Sequence, residues 1–234
     1  MKTGKIILLL ISPLFLLCSM KPRCWSEEGT IAVMADDKDW EIIEPALRDA
    51  VEYTIRTPQP ESYFTLFHVD DESFRRATRY QHIILAGTLE SGGRIGTLIN
   101  DVVSDPTVRE KVRKGEVFRF LVEDQWARDQ LIMILVSDNV QLLSKKISQY
   151  RNVIHDSFNT HAINYIKEDM YEHKEQVDIE KRLMSRYNWT LRLQHDYFIA
   201  KELPTEKFIF FRRILPERWM FVRWIDALDT TALT

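Results

Sequence analysis

The sequence predicts a mixed α/β fold, α+β in class, with a central sheet, helices packed mainly on one side and a C-terminal antiparallel meander. All seven glycines lie at or before Gly115, so the first half is expected to contain short elements separated by many turns. Neither glycine nor proline occurs between Gly115 and Pro204, which favours long regular elements in that stretch. Three runs rich in aromatic residues close the chain and predict antiparallel strands.

The first half is predicted to alternate strands and helices. Thr30–Ala35 is a β-prone apolar run that ends in acids, and it predicts a buried strand. Apolar residues at a spacing of four predict a helix within Asp39–Ile55, with Pro45 in its first turn. The other elements are strands at Tyr63–Val69 and Gln81–Ala86, a short helix at Asp71–Arg79, and a helix from Ser104-Asp105-Pro106 to Gly115.

The second half begins with two strands and continues with helices. The apolar runs Val117–Val122 and Leu131–Val136 are joined by the polar connector Glu123–Gln130. Asp138, with Gln141 three residues later, resembles a capping box and predicts the start of a long helix. Its inner face is marked by Leu143, Ile147, Tyr150, Ile154, Phe158 and Ile166. The last predicted elements are a helix at Gln176–Tyr187 and strands at Trp189–Ala200, Phe208–Ile214 and Trp219–Ile225.

The N-terminus is typical of an export signal. Met1–Lys5 carries two lysines, and Ile6–Leu17 is apolar apart from Ser12 and Pro13. The apolar run is shorter than the roughly 20 residues of a membrane-spanning helix, so a secretory leader fits better. We therefore expect a signal peptide over residues 1–26 and an exported protein, in the periplasm or anchored to a membrane of a bacterial cell envelope.

The leader has two candidate ends. Cys18 lies where a lipoprotein signal places its acylated cysteine, although Leu17 is larger than the usual preceding residue. The alternative is a simple cleavage before Glu27, after the small residues Cys24 and Ser26. Both alternatives stay open at this point. Contact with a membrane is expected only through a lipid on Cys18 or through an uncleaved leader.

The body that follows, residues 27–234, is acidic and free of cysteine. It therefore has no disulfide, zinc–thiolate site or cysteine nucleophile. Its size suits one mixed α/β domain or two packed halves, residues 27–137 and 138–234. Residues 1–26 hold four Lys or Arg and no acid, so their loss moves the net charge from −3 to −7. Because an acidic body is a poor counterpart for phosphates, nucleic acid is not expected as a ligand.

Several short motifs together resemble a bacterial envelope family, domain of unknown function 4837 (DUF4837), whose members are typically lipoproteins. They are Ile31–Asp36 with Trp40, Thr57-Pro58-Gln59-Pro60-Glu61 with Phe64, Phe74, Trp126-Ala127-Arg128-Asp129-Gln130, and Tyr197-Phe198-Ile199-Ala200-Lys201 with Phe208-Ile209. Cys18 departs from the family's usual lipidation site. The resemblance implies a location and an architecture, but it implies no reaction.

The connector Glu123–Gln130 is the densest group of polar and aromatic residues. Glu123, Asp124 and Asp129 are candidates for a general acid and base, and Trp126 is a candidate stacking platform for a sugar ring, with Arg128 beside it as a ligand contact. A hairpin connector whose Trp126 covers the core explains the same residues. We rank the connector first and ligand contact second.

Two other polar clusters have simpler explanations. Asp36-Asp37-Lys38-Asp39 follows the first strand, where ligands and oxygen-bound cations are common, but a helix cap explains it as well. Ser91–Gly96 lies where a phosphate loop would lie, but it matches no nucleotide-binding motif and is interpreted as a flexible turn. The six histidines show no metal-ligand spacing, and there is no G-x-S-x-G motif. No cofactor or metal is expected.

The last three predicted strands mix aromatic residues with arginines. Residues 189–226 hold seven Lys or Arg against five Asp or Glu, so the region is mildly basic. We interpret the pattern as strands in which one face buries aromatics while the arginines lie on the other face or at the strand ends. If part of the face is open, it is expected to bind a glycan or a partner protein. The leading hypothesis is therefore a non-enzymatic envelope protein that binds a partner protein or a glycan, and the alternative is an envelope carbohydrate-active hydrolase.

Overall fold

The computed structural model describes residues 21–25, 29–55, 61–70, 72–172 and 175–225. Most of the predicted leader, including Cys18, lies outside these residues, as does the proline-rich connector at Thr57–Pro60. The chain divides into two compact units, of which the first ends at Phe158 and the second begins at Asn159. The predicted fold class is confirmed, because the first unit holds a five-stranded mixed sheet with packed helices and the second holds a three-stranded antiparallel meander.

The helices and strands have the following bounds. The first unit contains β1 (Thr30–Met34), α1 (Asp37–Val51), β2 (Thr54–Ile55), β3 (Glu61–Ser62), β4 (Thr65–His68), α2 (Phe74–Ala77), β5 (His82–Thr88), α3 (Gly93–Val102), α4 (Pro106–Arg113), β6 (Arg119–Glu123), β7 (Leu131–Ser137) and α5 (Val140–Gln149). Helix α6 (Arg151–Glu172) crosses the boundary between the units. The second unit continues with α7 (Val177–Tyr187), β8 (Phe198–Leu203), β9 (Phe208–Arg213) and β10 (Arg218–Arg223).

The five-stranded sheet has the order β4-β1-β5-β7-β6. The first four strands are parallel, and β6 pairs antiparallel with β7 at one edge. Every residue of β7 is buried, and so are six of the seven residues of β5. Such near-continuous apolar strands are typical of a parallel sheet that is covered on both faces.

Helices cover both faces of this sheet, so the predicted packing of helices mainly on one side was wrong. On one face Ala32, Ile83 and Ile132 lie side by side in the strand register, and they belong to one buried cluster with Ile95 and Ile99 of α3. On the other face α1 and α5 contact each other, and α5 also contacts β5 and β7. The sheet therefore forms the middle layer of the first unit.

Two predicted helix starts were wrong. Helix α1 begins at Asp37, so Pro45 lies inside the helix and not in its first turn; acids at the positive end of the helix favour this earlier start. The cap of α5 is Asn139 and not Asp138. The Asn139 side chain accepts a hydrogen bond from the Leu142 backbone N–H at 2.9 Å, whereas Asp138 is exposed and lies 3.9 Å from Arg113.

The predicted long helix is two helices, α5 and α6, which are separated at Tyr150. Its predicted inner face is only partly correct. Leu143, Ile147, Ile154 and Phe158 are fully buried, whereas Tyr150 and Ile166 are exposed. Two of the six positions therefore do not belong to a core.

In the second unit the meander has the order β10-β9-β8. Its covered face presents Ile209 and Phe211, which form a small core with Leu183 of α7 and with Leu193. The strand predicted at Trp189–Ala200 begins only at Phe198. The preceding segment instead supplies side chains such as Trp189 and Leu193 to this core.

Candidate functional site

The connector Glu123–Gln130 joins the antiparallel strands β6 and β7, and a buried glutamine fixes its shape. Gln130 is fully buried, and its side-chain amide donates to the backbone oxygens of Thr78 at 2.9 Å and Tyr80 at 2.7 Å. Its side-chain oxygen accepts from the Trp126 backbone N–H at 3.1 Å. Trp126 is half-buried and packs against the buried cluster of the sheet.

The candidate carboxylates of the connector have structural contacts. Asp124 and Asp129 both have positive φ angles, 55° and 63°. The Gln130 backbone N–H donates to Asp124 Oδ1 at 3.3 Å, and Asp129 Oδ2 lies 3.4 Å from the Arg23 guanidinium. Glu123 is exposed at the end of β6. Their assignment to acid–base chemistry stays a prediction.

The cavity beside Trp126 is small. It has a volume of about 200 Å³ and is lined mainly by apolar side chains, with Asp101 and Gln125 as its polar members. Ligand pockets typically measure roughly 300–1,000 Å³. Arg128 is exposed and does not line this cavity. Sugar binding at Trp126 and Arg128 also stays a prediction.

The carboxyl edge of the sheet brings together two clusters that are far apart in the sequence. Because β1 and β5 are adjacent and parallel, Asp39 and Ser91 meet there, and Ser91 Oγ donates to Asp39 Oδ2 at 3.3 Å. Ligands often bind at such an edge. Here the Asp39 carboxylate lies close to the N-terminus of α3. Its negative charge disfavours the binding of an anionic ligand at this edge. In the described ranges, no group of three or more His, Cys, Asp or Glu residues is arranged to hold a metal ion.

The meander presents a second face, opposite its small core, which we call the outer face. The strand register places aromatic, basic and apolar side chains there together. The outer face consists of Phe198, Lys201, Leu203, Phe208, Phe210, Arg212, Trp219, Phe221 and Arg223. The arginines of β9 and β10 lie at the strand ends, which is one of the two predicted positions. The aromatic residues, however, are not all on a buried face, because several share the outer face with Arg212 and Arg223.

Two large aromatic side chains on the outer face are mostly in solvent. Trp219 and Phe221 are each 69% exposed. Phe221 stacks on Phe208 with ring centroids 6.0 Å apart, and Trp219 meets Phe210 edge-on at 6.3 Å. These ring contacts fix the positions of the aromatic side chains on the outer face. On the opposite side of the sheet, Ile209 and Phe211 are fully buried and anchor the strands.

Cations accompany the aromatic side chains on the outer face. Lys201, Arg212 and Arg223 occupy strand positions there, and none of the described strand positions of this face holds an acid. Glu217, in the turn between β9 and β10, accepts hydrogen bonds from Arg212 at 2.6 Å and from the Trp219 indole N–H at 3.2 Å. The hydrogen bond from Trp219, and then that from Arg212, lower the pKa of the Glu217 carboxyl and so favour its ionised form.

An open depression adjoins the outer face. It has a volume of about 870 Å³, and Leu203, Lys207, Phe208 and Arg223 are among the residues that line it. This volume falls within the range of roughly 300–1,000 Å³ that is typical of small-molecule pockets. The sequence predicted an aromatic and basic face in this region, but it did not indicate which residues share the exposed side.

Comparison with protein families identifies a family of unknown function. The family model described as domain of unknown function DUF8532 matches residues 26–171, so the chain belongs to this family. The resemblance to DUF4837 was therefore wrong. It rested on short pieces such as Ile31–Asp36, which arise in many buried strands. No curated protein and no solved structure matches the chain. Among the residues that the structure describes, no helix combines the length and apolar character needed to cross a bilayer.

Proposed function

We propose that the protein is a non-enzymatic binding module and that the outer face of its meander binds a partner protein. The observation that supports this proposal is the 69% exposure of both Trp219 and Phe221. Large aromatic residues that are exposed next to one another mark interaction sites more often than isolated exposed residues do. Trp and Arg are also the residue types that contribute most to the binding energy of protein interfaces.

The chemistry of the outer face favours a protein over a neutral glycan. Sugar hydroxyls need hydrogen-bond acceptors as well as donors. Among the described strand positions of the outer face, the polar side chains are Lys201, Arg212 and Arg223, which only donate. Glu217, in the turn between β9 and β10, already binds Arg212 and Trp219. The acceptors Thr205 and Glu206 line the adjoining depression and do not occupy strand positions of the outer face. An apolar partner surface needs no such acceptors.

The charge of the outer face indicates which kind of protein surface it fits. Arg212 is paired with Glu217, so Lys201 and Arg223 are the cations that favour a partner surface that is apolar at its centre and acidic at its rim. Export to a bacterial cell envelope remains part of the proposal. It is supported by the charged and apolar composition of residues 1–17.

Site-specific photo-crosslinking in the source bacterium tests this proposal. A photoreactive phenylalanine analogue replaces Phe221 in the full-length chain, and the crosslinked protein is identified by mass spectrometry. The purified partner is then titrated calorimetrically against the unmodified protein and against a Trp219→Ser, Phe221→Ser double variant. We expect the double variant to bind at least about tenfold more weakly, as is typical when interface anchors are removed.

A matched control is available in the first unit. Phe67 is 41% exposed, so Phe67→Ser also removes an exposed aromatic side chain, and it should leave the affinity unchanged. Arg223→Glu should weaken binding and reduce its dependence on salt. Equal affinity of the double variant and the unmodified protein would refute the proposal. Binding to cell-wall glycan that the double variant loses, or a glycan-cleaving activity that depends on Glu123 and Asp129, would replace it with a glycan function.

A further inference from the structure

A short N-terminal segment, Lys21–Trp25, is bound to the first unit, and we call it the strap. Its backbone pairs with the connector: the Arg128 N–H donates to Pro22 O at 2.8 Å, and the Cys24 N–H donates to Arg128 O at 3.0 Å. These bonds form a parallel bridge between Arg23 and Arg128. The Trp25 N–H donates to Arg79 O at 2.7 Å. The strap therefore adds a short extended segment beside the connector.

Side chains of the strap make further contacts with the same region. The Lys21 ammonium donates to the backbone oxygen of Asp124. The Arg23 guanidinium lies 3.4 Å from the Asp129 carboxylate, and the Cys24 thiol lies 3.4 Å from the Asp129 backbone oxygen. The strap thus satisfies polar groups of the two residues that hold positive φ angles in the connector.

The end of the strap is held by α2 and the turn that follows it. The Arg76 guanidinium lies 5.3 Å from the centroid of the Trp25 ring, a distance at which the cation and the ring attract each other. The Arg79 guanidinium also donates to Arg23 O at 3.3 Å. Each of the five strap residues therefore contacts a part of the body at least 50 residues away in the sequence.

We propose that the strap belongs to the mature protein and that the leader is removed on the N-terminal side of Lys21. The sequence offers two candidate ends for the leader, one at Cys18 and one before Glu27. Cleavage before Glu27 would remove every strap contact. It would remove the partners that both backbone groups of Arg128 and the backbone oxygen of Arg79 have in the structure, together with the contact between Arg23 and Asp129.

Intact mass and N-terminal peptide mapping of the full-length protein, expressed in a bacterium and recovered after export, test the position of the cut. We expect a mature chain that begins within residues 18–21. A diacylglyceryl mass on Cys18 would support the proposal and identify a lipoprotein, and an unmodified start in this range would support it equally. A mature chain that begins at Pro22 or later would overturn the proposal, as would a chain that retains Met1.

Hydrogen exchange tests separately whether the strap is bound in solution. In the mature protein the amide of Arg128 should be protected. In a chain that begins at Glu27 it should exchange at least about tenfold faster, because its acceptor Pro22 O is gone. The Leu131 amide, which donates to Gln81 O at 2.8 Å, is the internal control and should not change. Equal exchange of Arg128 in both chains would show that the strap is not part of the fold.

Discussion

The five-stranded sheet and the meander differ in what covers them. In the five-stranded sheet helices cover both faces, and the connector at one end is further closed by the strap. In the meander one face packs on α7 and the other, outer face leaves Trp219 and Phe221 mostly in solvent. Both sheets are built from strands rich in apolar residues.

The difference shows that composition alone does not separate core from surface in this chain. Phe211 and Phe221 are both aromatic residues in the middle of meander strands, yet Phe211 is fully buried and Phe221 is 69% exposed. The first residue stabilises the fold, whereas the second is available to a partner.

The largest effect is expected for the two faces of the meander. Phe211→Ala should lower the free energy of unfolding by about 3–5 kcal/mol, because it removes a large side chain from a small core and leaves a cavity. Phe221→Ala should lower it by less than about 1 kcal/mol, since only cross-strand ring contacts are lost. Urea unfolding followed by circular dichroism measures both values. Equal losses would mean that the outer face is also a core.

The next effect concerns the connector, where Gln125 and Gln130 form a matched pair. Gln125 is exposed and Gln130 is fully buried with three hydrogen-bond partners. Gln130→Ala leaves those partners unsatisfied and should cost about 2–3 kcal/mol of unfolding free energy. Gln125→Ala should change it by no more than about 0.5 kcal/mol. If the two variants unfold alike, Gln130 does not fix the connector.

Much of the sheet was predictable from local signals. The buried strands β1, β5 and β7 are continuous apolar runs bounded by polar residues, and such runs have few alternatives to strand in a covered sheet. Helix α4 was predictable from Asp105, Pro106 and Gly115, since its N-cap, first position and stop depend on neighbouring residues alone. Such signals can also conflict. Pro45 indicated the first turn of α1, but the helix begins at Asp37, where acids near its positive end favour an earlier start.

The candidate site was predictable only in part, because it depends on tertiary contacts. In β9 the outer residues Phe208, Phe210 and Arg212 alternate with Ile209, Phe211 and Arg213, so each face carries apolar residues and an arginine. The sequence alone gives no reason to bury one set. Packing against Leu183 of α7 and against Leu193 decides the choice. The strap gives no local signal either, since its partners Asp124–Asp129 lie about a hundred residues later.

A smaller effect is expected at the start of α5, where Asn139 and not Asp138 is the cap. Asn139→Ala removes the hydrogen bond to the Leu142 N–H and should cost about 1 kcal/mol of unfolding free energy. Asp138→Ala removes only an exposed contact with Arg113 at 3.9 Å, so its cost should be close to zero. Thermal and urea unfolding distinguish the two variants. A larger loss for Asp138→Ala would restore the cap that the sequence predicted.

The smallest effect concerns the Cys24 thiol in the strap. Burial and the nearby Asp129 carboxylate raise the pKa of Cys24 to about 11 from an ordinary value of 9.0. The thiolate is the form that reacts, so iodoacetamide should modify Cys24 at pH 8 much more slowly in the folded protein than after denaturation. Because the folded pKa is the higher one, this group's contribution to stability is complete below pH 9 and is lost as the pH rises through about 11.

Mass spectrometry of the alkylated peptide measures the rate at Cys24, and the denatured protein supplies the reference rate. Asp129→Asn removes one of the two main causes of the raised pKa but leaves the burial in place, so it should restore only part of the reactivity. Fast alkylation of the folded, unmutated protein would show that the strap does not close over the connector. The connector would then be as exposed as the outer face of the meander. The five-stranded sheet and the meander would differ only in the helices that cover them.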